Sequence, residues 1–264
     1  MNAIITGAGR PAGIGAHIAY ALAEMKINVM LTSSRNYDLH NRIIESDNGG
    51  EKLSAYSSIA KKCQSFGVKA FFKEYDLSSQ RSVISLFDDA NKVLGDIDVL
   101  VTCHCCHAFD SFGSIKEEDF DCNLSVNTKA TFMLCQEFYN RFNNQSGRIV
   151  NISSTQALEP LTSEVSYAIT KSTIPVLVST LAPIMAKKNI TINSVNPGPT
   201  DVGDDSHNEF NDINIYKEKN LFGRAGKPED VANLVSFLIS EKGSWITGQT
   251  INSEGGLFRK SSYF

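Results

Sequence analysis

Residues 6–15 read Thr6-Gly7-Ala8-Gly9-Arg10-Pro11-Ala12-Gly13-Ile14-Gly15. They stand between a short apolar run, 3–6, and the segment His17-Ile18-Ala19-Tyr20-Ala21-Leu22, where apolar residues recur at helical spacing. Glycines between a strand and a helix let the backbone turn tightly and approach a pyrophosphate, which then sits on the amides and positive dipole end of the helix. Such a turn can also be no more than a tight connection, so the rest of the chain has to decide. About 20 residues on, at the distance expected for the strand end that reads an adenosine ribose, comes Val29-Met30-Leu31-Thr32-Ser33-Ser34-Arg35. No carboxylate is present there to accept a ribose 2′-hydroxyl. Ser34 and Arg35 instead offer a hydroxyl and a guanidinium suited to a 2′-phosphate, with Arg10 a second cation, so NADP is expected over NAD.

Working outward, apolar and β-branched runs recur at 3–6, 27–32, 68–72, 97–102, 148–152, 190–195 and 249–251. Between them, 13–25, 53–66, 80–93, 116–142, 163–187 and 228–239 carry apolar residues at helical spacing. Strand and helix alternate along the whole chain, and the strands are apolar almost throughout, as expected of a parallel sheet covered on both faces. The expected fold is α/β: a single doubly wound Rossmann-type domain over 1–264, with about seven parallel strands and helices on both faces. The polar stretches 33–50 and 201–220 are long enough to be functional loops, and the second is expected to bound the substrate.

Composition excludes several classes. Of the 264 residues, 42% are hydrophobic and 20% charged, which suits a globular domain and not a disordered chain. The net charge of -4 and the absence of any basic run beyond Lys61-Lys62 and Lys187-Lys188 argue against nucleic acid. The apolar stretch 173–185 contains Pro175 and Pro183 and falls short of a membrane span, and Met1-Asn2 leads directly into the first strand with no leader pattern. A cytoplasmic protein with no membrane partner is expected. The six cysteines, 63, 103, 105, 106, 122 and 135, are read as free thiols. The cluster Cys103-His104-Cys105-Cys106-His107 lacks the two-to-four-residue spacing of paired zinc ligands, so no metal is expected.

Chemistry enters with Ser154, Tyr167 and Lys171, in Asn151-Ile152-Ser153-Ser154 and Tyr167-Ala168-Ile169-Thr170-Lys171. A helix puts Tyr167 and Lys171 one turn apart on one face. A nearby ammonium favours phenolate and brings a group of pKa about 10 toward the working pH, which makes Tyr167 a candidate general acid. Ser154 is a candidate donor to an oxygen that develops negative charge.

The ordered set is more specific than any one part. It comprises the glycine loop, Asp76-Leu77, Asn127, Ser154 with Tyr167 and Lys171, Asn196-Pro197-Gly198-Pro199-Thr200-Asp201, Gly223-Arg224-Ala225-Gly226-Lys227-Pro228-Glu229-Asp230, Ile246-Thr247-Gly248-Gln249 and Gly255-Gly256. This order resembles the short-chain dehydrogenase/reductase family over nearly the whole chain. The resemblance implies an NAD(P)-dependent oxidoreductase acting between a ketone and a secondary alcohol, most like 3-oxoacyl-thioester reductases and general ketone reductases. It implies Asn127, Ser154, Tyr167 and Lys171 as the catalytic set, with Lys171 also holding the nicotinamide ribose and Asn127 positioning a relay water. It further implies cofactor contacts at Gly7, Gly13, Ile14, Gly15, Asp76, Leu77, Cys103, His104, Cys105, Pro197, Gly198 and Thr200, a small carbonyl or alcohol substrate, and a homo-oligomer, tetramer or dimer.

Four departures stand out. Five residues separate Gly7 from Gly13 where the family usually has three, and Thr102-Cys103-His104-Cys105 replaces the usual Asn-Asn-Ala-Gly. Val202 stands where a threonine is common, and Pro175 predicts a kink just beyond Lys171. These leave a rival reading open: a cofactor-binding regulatory or scaffold protein with little turnover.

Overall fold

The strands of the computed structural model, which describes residues 1–34, 50–107, 110–158, 160–203 and 219–257, are apolar because both faces of their sheet are covered. They are β1 (Asn2–Thr6), β2 (Asn28–Thr32), β3 (Ala70–Phe72), β4 (Val99–Thr102), β5 (Gly147–Ile152), β6 (Ile190–Pro197) and β7 (Thr250–Ser253). Each expected strand is present, with ends displaced by no more than two residues. All run parallel in the order β3-β2-β1-β4-β5-β6-β7. The order reverses between β1 and β4, which opens a crevice at their carboxyl ends. There Thr6 lies level with Thr32 on one side and Thr102 on the other.

Alternate strand residues feed two cores. Ala3 and Ile5 pack with α1 (Ile14–Glu24), α2 (Gly50–Ser65) and α8 (Pro228–Ile239). Ile4, between them, packs with α3 (Gln80–Leu94), α5 (Thr131–Arg141) and α7 (Thr173–Met185). Two expected helices are each divided. The 116–142 pattern becomes α4 (Glu117–Asn123), a π-helical turn (Leu124–Ala130) and α5. The 163–187 pattern becomes α6 (Val165–Lys171) and α7, which meet at Ser172. Pro175 therefore sits in the first turn of a new helix, where its missing N–H needs no partner, instead of bending an old one. Pro183 lies inside α7.

Together residues 165–188 form a helical run long and apolar enough to cross a membrane by length and composition, which corrects the shorter estimate from 173–185. Ile174, Val178 and Met185 from this run are nonetheless buried in the second core.

The reading of all six cysteines as free thiols is also corrected. Cys106, after β4, is bonded to Cys122 of α4. Cys63, Cys103, Cys105 and Cys135 are free. Burial pushes the Cys63 thiol up to about 11, and those of Cys103 and Cys135 to about 12.

His104 ties the ends of β1 and β4 to the π-helical turn. Its Nε2 lies 3.1 Å from the Val126 carbonyl, which can only accept, so Nε2 carries the proton. Nδ1, 2.7 Å from the Thr6 hydroxyl, is then the acceptor. The same hydroxyl oxygen accepts from the Cys103 amide at 3.2 Å. Burial, and then the nearby Lys171 charge, lower the His104 pKa from 6.5 to about 3.

Two expectations about stability follow from these ties. The cross-link closes a loop with a sequence separation of 16. Cys122→Ser should lower unfolding free energy by up to about 3 kcal/mol, as expected for a loop of that size. Wild-type protein treated with a dithiol should match the variant in denaturant melts, and no change on reduction would mean that the bond does not form in solution.

For His104 the unfolded chain takes up a proton below pH 6.5 while the folded chain stays neutral, so stability falls as pH drops from there toward about 3. The slope is at most about 1.4 kcal/mol per pH unit. His104→Asn should flatten this dependence in urea titrations across that window, and an unchanged slope would show His104 to be protonated in the fold.

Candidate functional site

The glycine loop is shaped by backbone contacts that leave no room for side chains. Gly7 has φ +69°, and a Cβ there would lie 2.5 Å from the Cys103 carbonyl oxygen. A Cβ on Gly15 would strike the Gly7 carbonyl, which keeps the first turn of α1 against the end of β1. The two residues beyond the usual loop length are absorbed by a turn in which the Gly13 amide donates to the Arg10 carbonyl at 2.9 Å.

Above this loop opens a cleft of about 790 Å³. Of the expected cofactor contacts, Gly7, Arg10, Ser34, Asp76, Leu77, Cys103, His104 and Cys105 line it. Gly9, Ser33 and His107 also line it. Gly13, Ile14 and Gly15 form the start of α1 behind the loop. Pro197 ends β6 and Gly198 and Thr200 follow it, where the Thr200 hydroxyl donates to Gly198 O at 2.8 Å and Gly226 braces the turn through Pro199 O and the Asp201 amide. Arg35, and residues 204–218 of the expected substrate loop, lie outside the described residues. The shape and lining fit a dinucleotide: a Cβ-free cradle, a helix start behind it, and serines where a carboxylate would otherwise read the ribose.

Ser154 follows β5 and caps the short turn Thr155–Ala157, with its Oγ accepting from the Gln156 amide at 3.2 Å. That hydroxyl also faces the phenol of Tyr167, where it favours the ionised form. The expected lowering of the Tyr167 pKa by Lys171 is corrected: the phenol is held above its ordinary pKa by burial first and then by the Cys105 thiol, with Glu164 and Cys103 adding to this, while the Ser154 hydroxyl works in the opposite direction. Lys171, one turn further along α6, is buried and donates to Ile152 O at 3.0 Å and His104 O at 3.5 Å.

Asn127 lies in the π-helical turn, a deformation frequent at functional sites. Its side chain accepts from the Cys106 amide at 2.8 Å and donates to Cys106 O at 2.9 Å, with Thr170 Oγ1 at 3.0 Å. It thereby clamps the segment after β4 to α6, and its own carbonyl accepts from the Thr131 hydroxyl at 2.8 Å.

Three neighbours were not singled out as members of the site from sequence. His107 Nε2 lies 2.9 Å from Glu164 Oε2, and its ring meets the Tyr167 ring edge-on at 4.7 Å. Glu164 is 3% exposed and also accepts from Gln156 Nε2. Glu164 stands three positions before Tyr167, but nothing in the local pattern marks it as buried. The cysteine-histidine cluster is spent on separate contacts: His104 on Thr6 and Val126, Cys106 on Cys122, His107 on Glu164.

A family model described as enoyl-(acyl carrier protein) reductase matches residues 7–258. The uncharacterized oxidoreductase YjdA of Bacillus subtilis is 33% identical over 261 residues, covering 97% of this chain and 96% of that protein. The 3-oxoacyl-[acyl-carrier-protein] reductase FabG of Aquifex aeolicus is 34% identical over 259 residues, with 97% and 96% covered. Among solved structures, the angucycline C-6 ketoreductase LanV with bound NADP superposes with a TM-score of 0.85 at 27% identity, covering 98% of this chain and 96% of that one. With the glycine cradle, the reversed strand order and Ser154, Tyr167 and Lys171 gathered at one strand end, these matches make the chain a member of the short-chain dehydrogenase/reductase family of oxidoreductases.

Proposed function

We propose that the protein is an NADPH-preferring reductase that converts a ketone to a secondary alcohol, or runs the reverse, with 3-oxoacyl thioesters and related ketones as its substrate class. The observation that carries this is the Ser154 hydroxyl facing the Tyr167 phenol, one helical turn before the buried Lys171 and beside the glycine-lined cleft. When bound, the nicotinamide supplies or takes the hydride. Ser154 donates to the substrate oxygen as negative charge grows there. Tyr167 gives that oxygen its proton, and a cation at Lys171 offsets the phenolate left behind. Lys171 also holds the nicotinamide ribose, and Asn127 keeps the segment after β4 in place and positions the relay water. A FabG relative and a ketoreductase neighbour with bound NADP support the substrate class and the cofactor. For NADPH over NADH, the support is Ser34 and Arg10 in the cleft wall, Arg35 next in sequence, and no carboxylate at the end of β2. Exposed apolar residues Phe132, Ile169 and Val176 on α5 to α7 support a homo-oligomer, dimer or tetramer.

Screening ketones and alcohols by NADPH absorbance identifies a working substrate and tests the reading directly. On that substrate Tyr167→Phe should keep the fold and cofactor binding while turnover falls by ~10² to 10⁴, the contribution typical of general acid catalysis. Near-native turnover in Tyr167→Phe would require another proton donor, and tight NADPH binding with no turnover of any substrate would favour the non-catalytic alternative.

Arg10→Ala and Arg35→Ala should each weaken NADPH selectively, by about 1.5–3 kcal/mol for a lost charge-assisted hydrogen bond, and leave NADH nearly unchanged. Equal losses for the two cofactors in titration calorimetry would exclude a 2′-phosphate site.

A further inference from the structure

His107, Glu164 and Gln156 surround the proposed proton donor and have no part in the reaction as described above. A glutamate as buried as Glu164 needs partners, because an uncompensated carboxylate in a low-dielectric setting is strongly disfavoured. Its partners are His107 Nε2 and Gln156 Nε2, both on the same oxygen. Burial alone would raise the Glu164 carboxyl, but the bonds and charge from His107, with Gln156, outweigh it and hold the carboxyl below its ordinary value. The anion so retained stands beside the phenol and opposes formation of phenolate. The same residues touch both catalytic side chains, at the Ser154 hydroxyl and at the Tyr167 ring. Gln156 is hydrogen-bonded through its amide to Ser154 Oγ, and the His107 ring stands at 88° to that of Tyr167. A hydrogen-bonded polar network centred on a buried carboxylate is rigid, so it fixes what rests on it.

We propose that His107 is a positioning residue for proton transfer. Hydrogen-bonded to Glu164 and edge-on to the phenol ring, it holds Tyr167 facing Ser154 and takes up part of the Glu164 charge that opposes loss of the phenolic proton. This rests on the reading of Tyr167 as the donor. The other groups acting on the phenol are Cys103 and Cys105 from the segment after β4 and Ser154 from the end of β5, while Lys171, on the same helix, donates to Ile152 O and His104 O.

The test uses the full-length enzyme with NADP(H) and a substrate pair from the screen, with Tyr167→Phe run alongside. His107→Phe keeps an aromatic edge against Tyr167 but loses the N–H. Turnover should fall about tenfold or more with the NADPH KM little changed, the pattern of a lost transition-state contribution. The pH at which alcohol oxidation switches on should rise, because Glu164 is left less compensated beside the phenol. Glu164→Gln should move that midpoint the other way, since it removes the opposing charge. His107→Gln, which retains a donor, should recover most of the turnover, and added imidazole should partly restore His107→Ala.

A merely structural role for His107 would lower folded yield or melting temperature without moving the midpoints in opposite directions. Native turnover and pH profile in both His107→Phe and Glu164→Gln, with Tyr167→Phe inactive, would overturn the inference and leave the function standing. Retained turnover in Tyr167→Phe would overturn both.

Discussion

The backbones of β1, β4 and α1 meet at distances that exclude a Cβ, and the rest of the site depends on that contact. Gly7 passes against the Cys103 carbonyl, and Gly15 against Gly7 itself. Only glycine satisfies both the positive φ at Gly7 and the closeness of approach. Because α1 begins there, its first turn is held at the carboxyl end of β1, where the reversed strand order opens the crevice. The Thr6 hydroxyl continues the same contact, bonding His104 and the Cys103 amide, so the segment that replaces the family's Asn-Asn-Ala-Gly is held by side chains.

That replacement is reinforced from several sides. His104 reaches the π-helical turn, Asn127 grips both backbone groups of Cys106, and Cys106 is bonded to α4. A loop with less glycine than its relatives loses conformational freedom, and here the lost freedom is matched by anchors that settle one conformation. The same segment presents the His104 carbonyl to Lys171 and the His107 ring to Tyr167. Local rigidity and the chemistry of the site are thus consequences of one set of hydrogen bonds.

Much of the fold was legible because it is periodic. Double-sided burial makes Ile4 as apolar as Ala3 and Ile5, so a continuous run reports a covered parallel strand, and all seven were found near their true ends. The breaks within helices were not legible. The apolar pattern of 116–142 persists through the π-helical turn, whose extra residue changes hydrogen bonding without changing composition. Pro175 signalled an interruption, but the break falls at Ser172 because proline is favoured inside the first turn of the next helix.

By itself the sequence determined the architecture, the glycine loop and the spacing of Ser154, Tyr167 and Lys171, since each is written in neighbours a few positions apart. Only the tertiary structure decided what those residues face. It bonded Cys106 to Cys122, turned the His104 imidazole to Thr6 and Val126, and buried Glu164 against His107. The reason is physical: periodicity and spacing report a residue's own helix or strand, whereas burial, a disulfide and a lowered or raised pKa depend on which distant segments the packed core brings within hydrogen-bond or bonding reach.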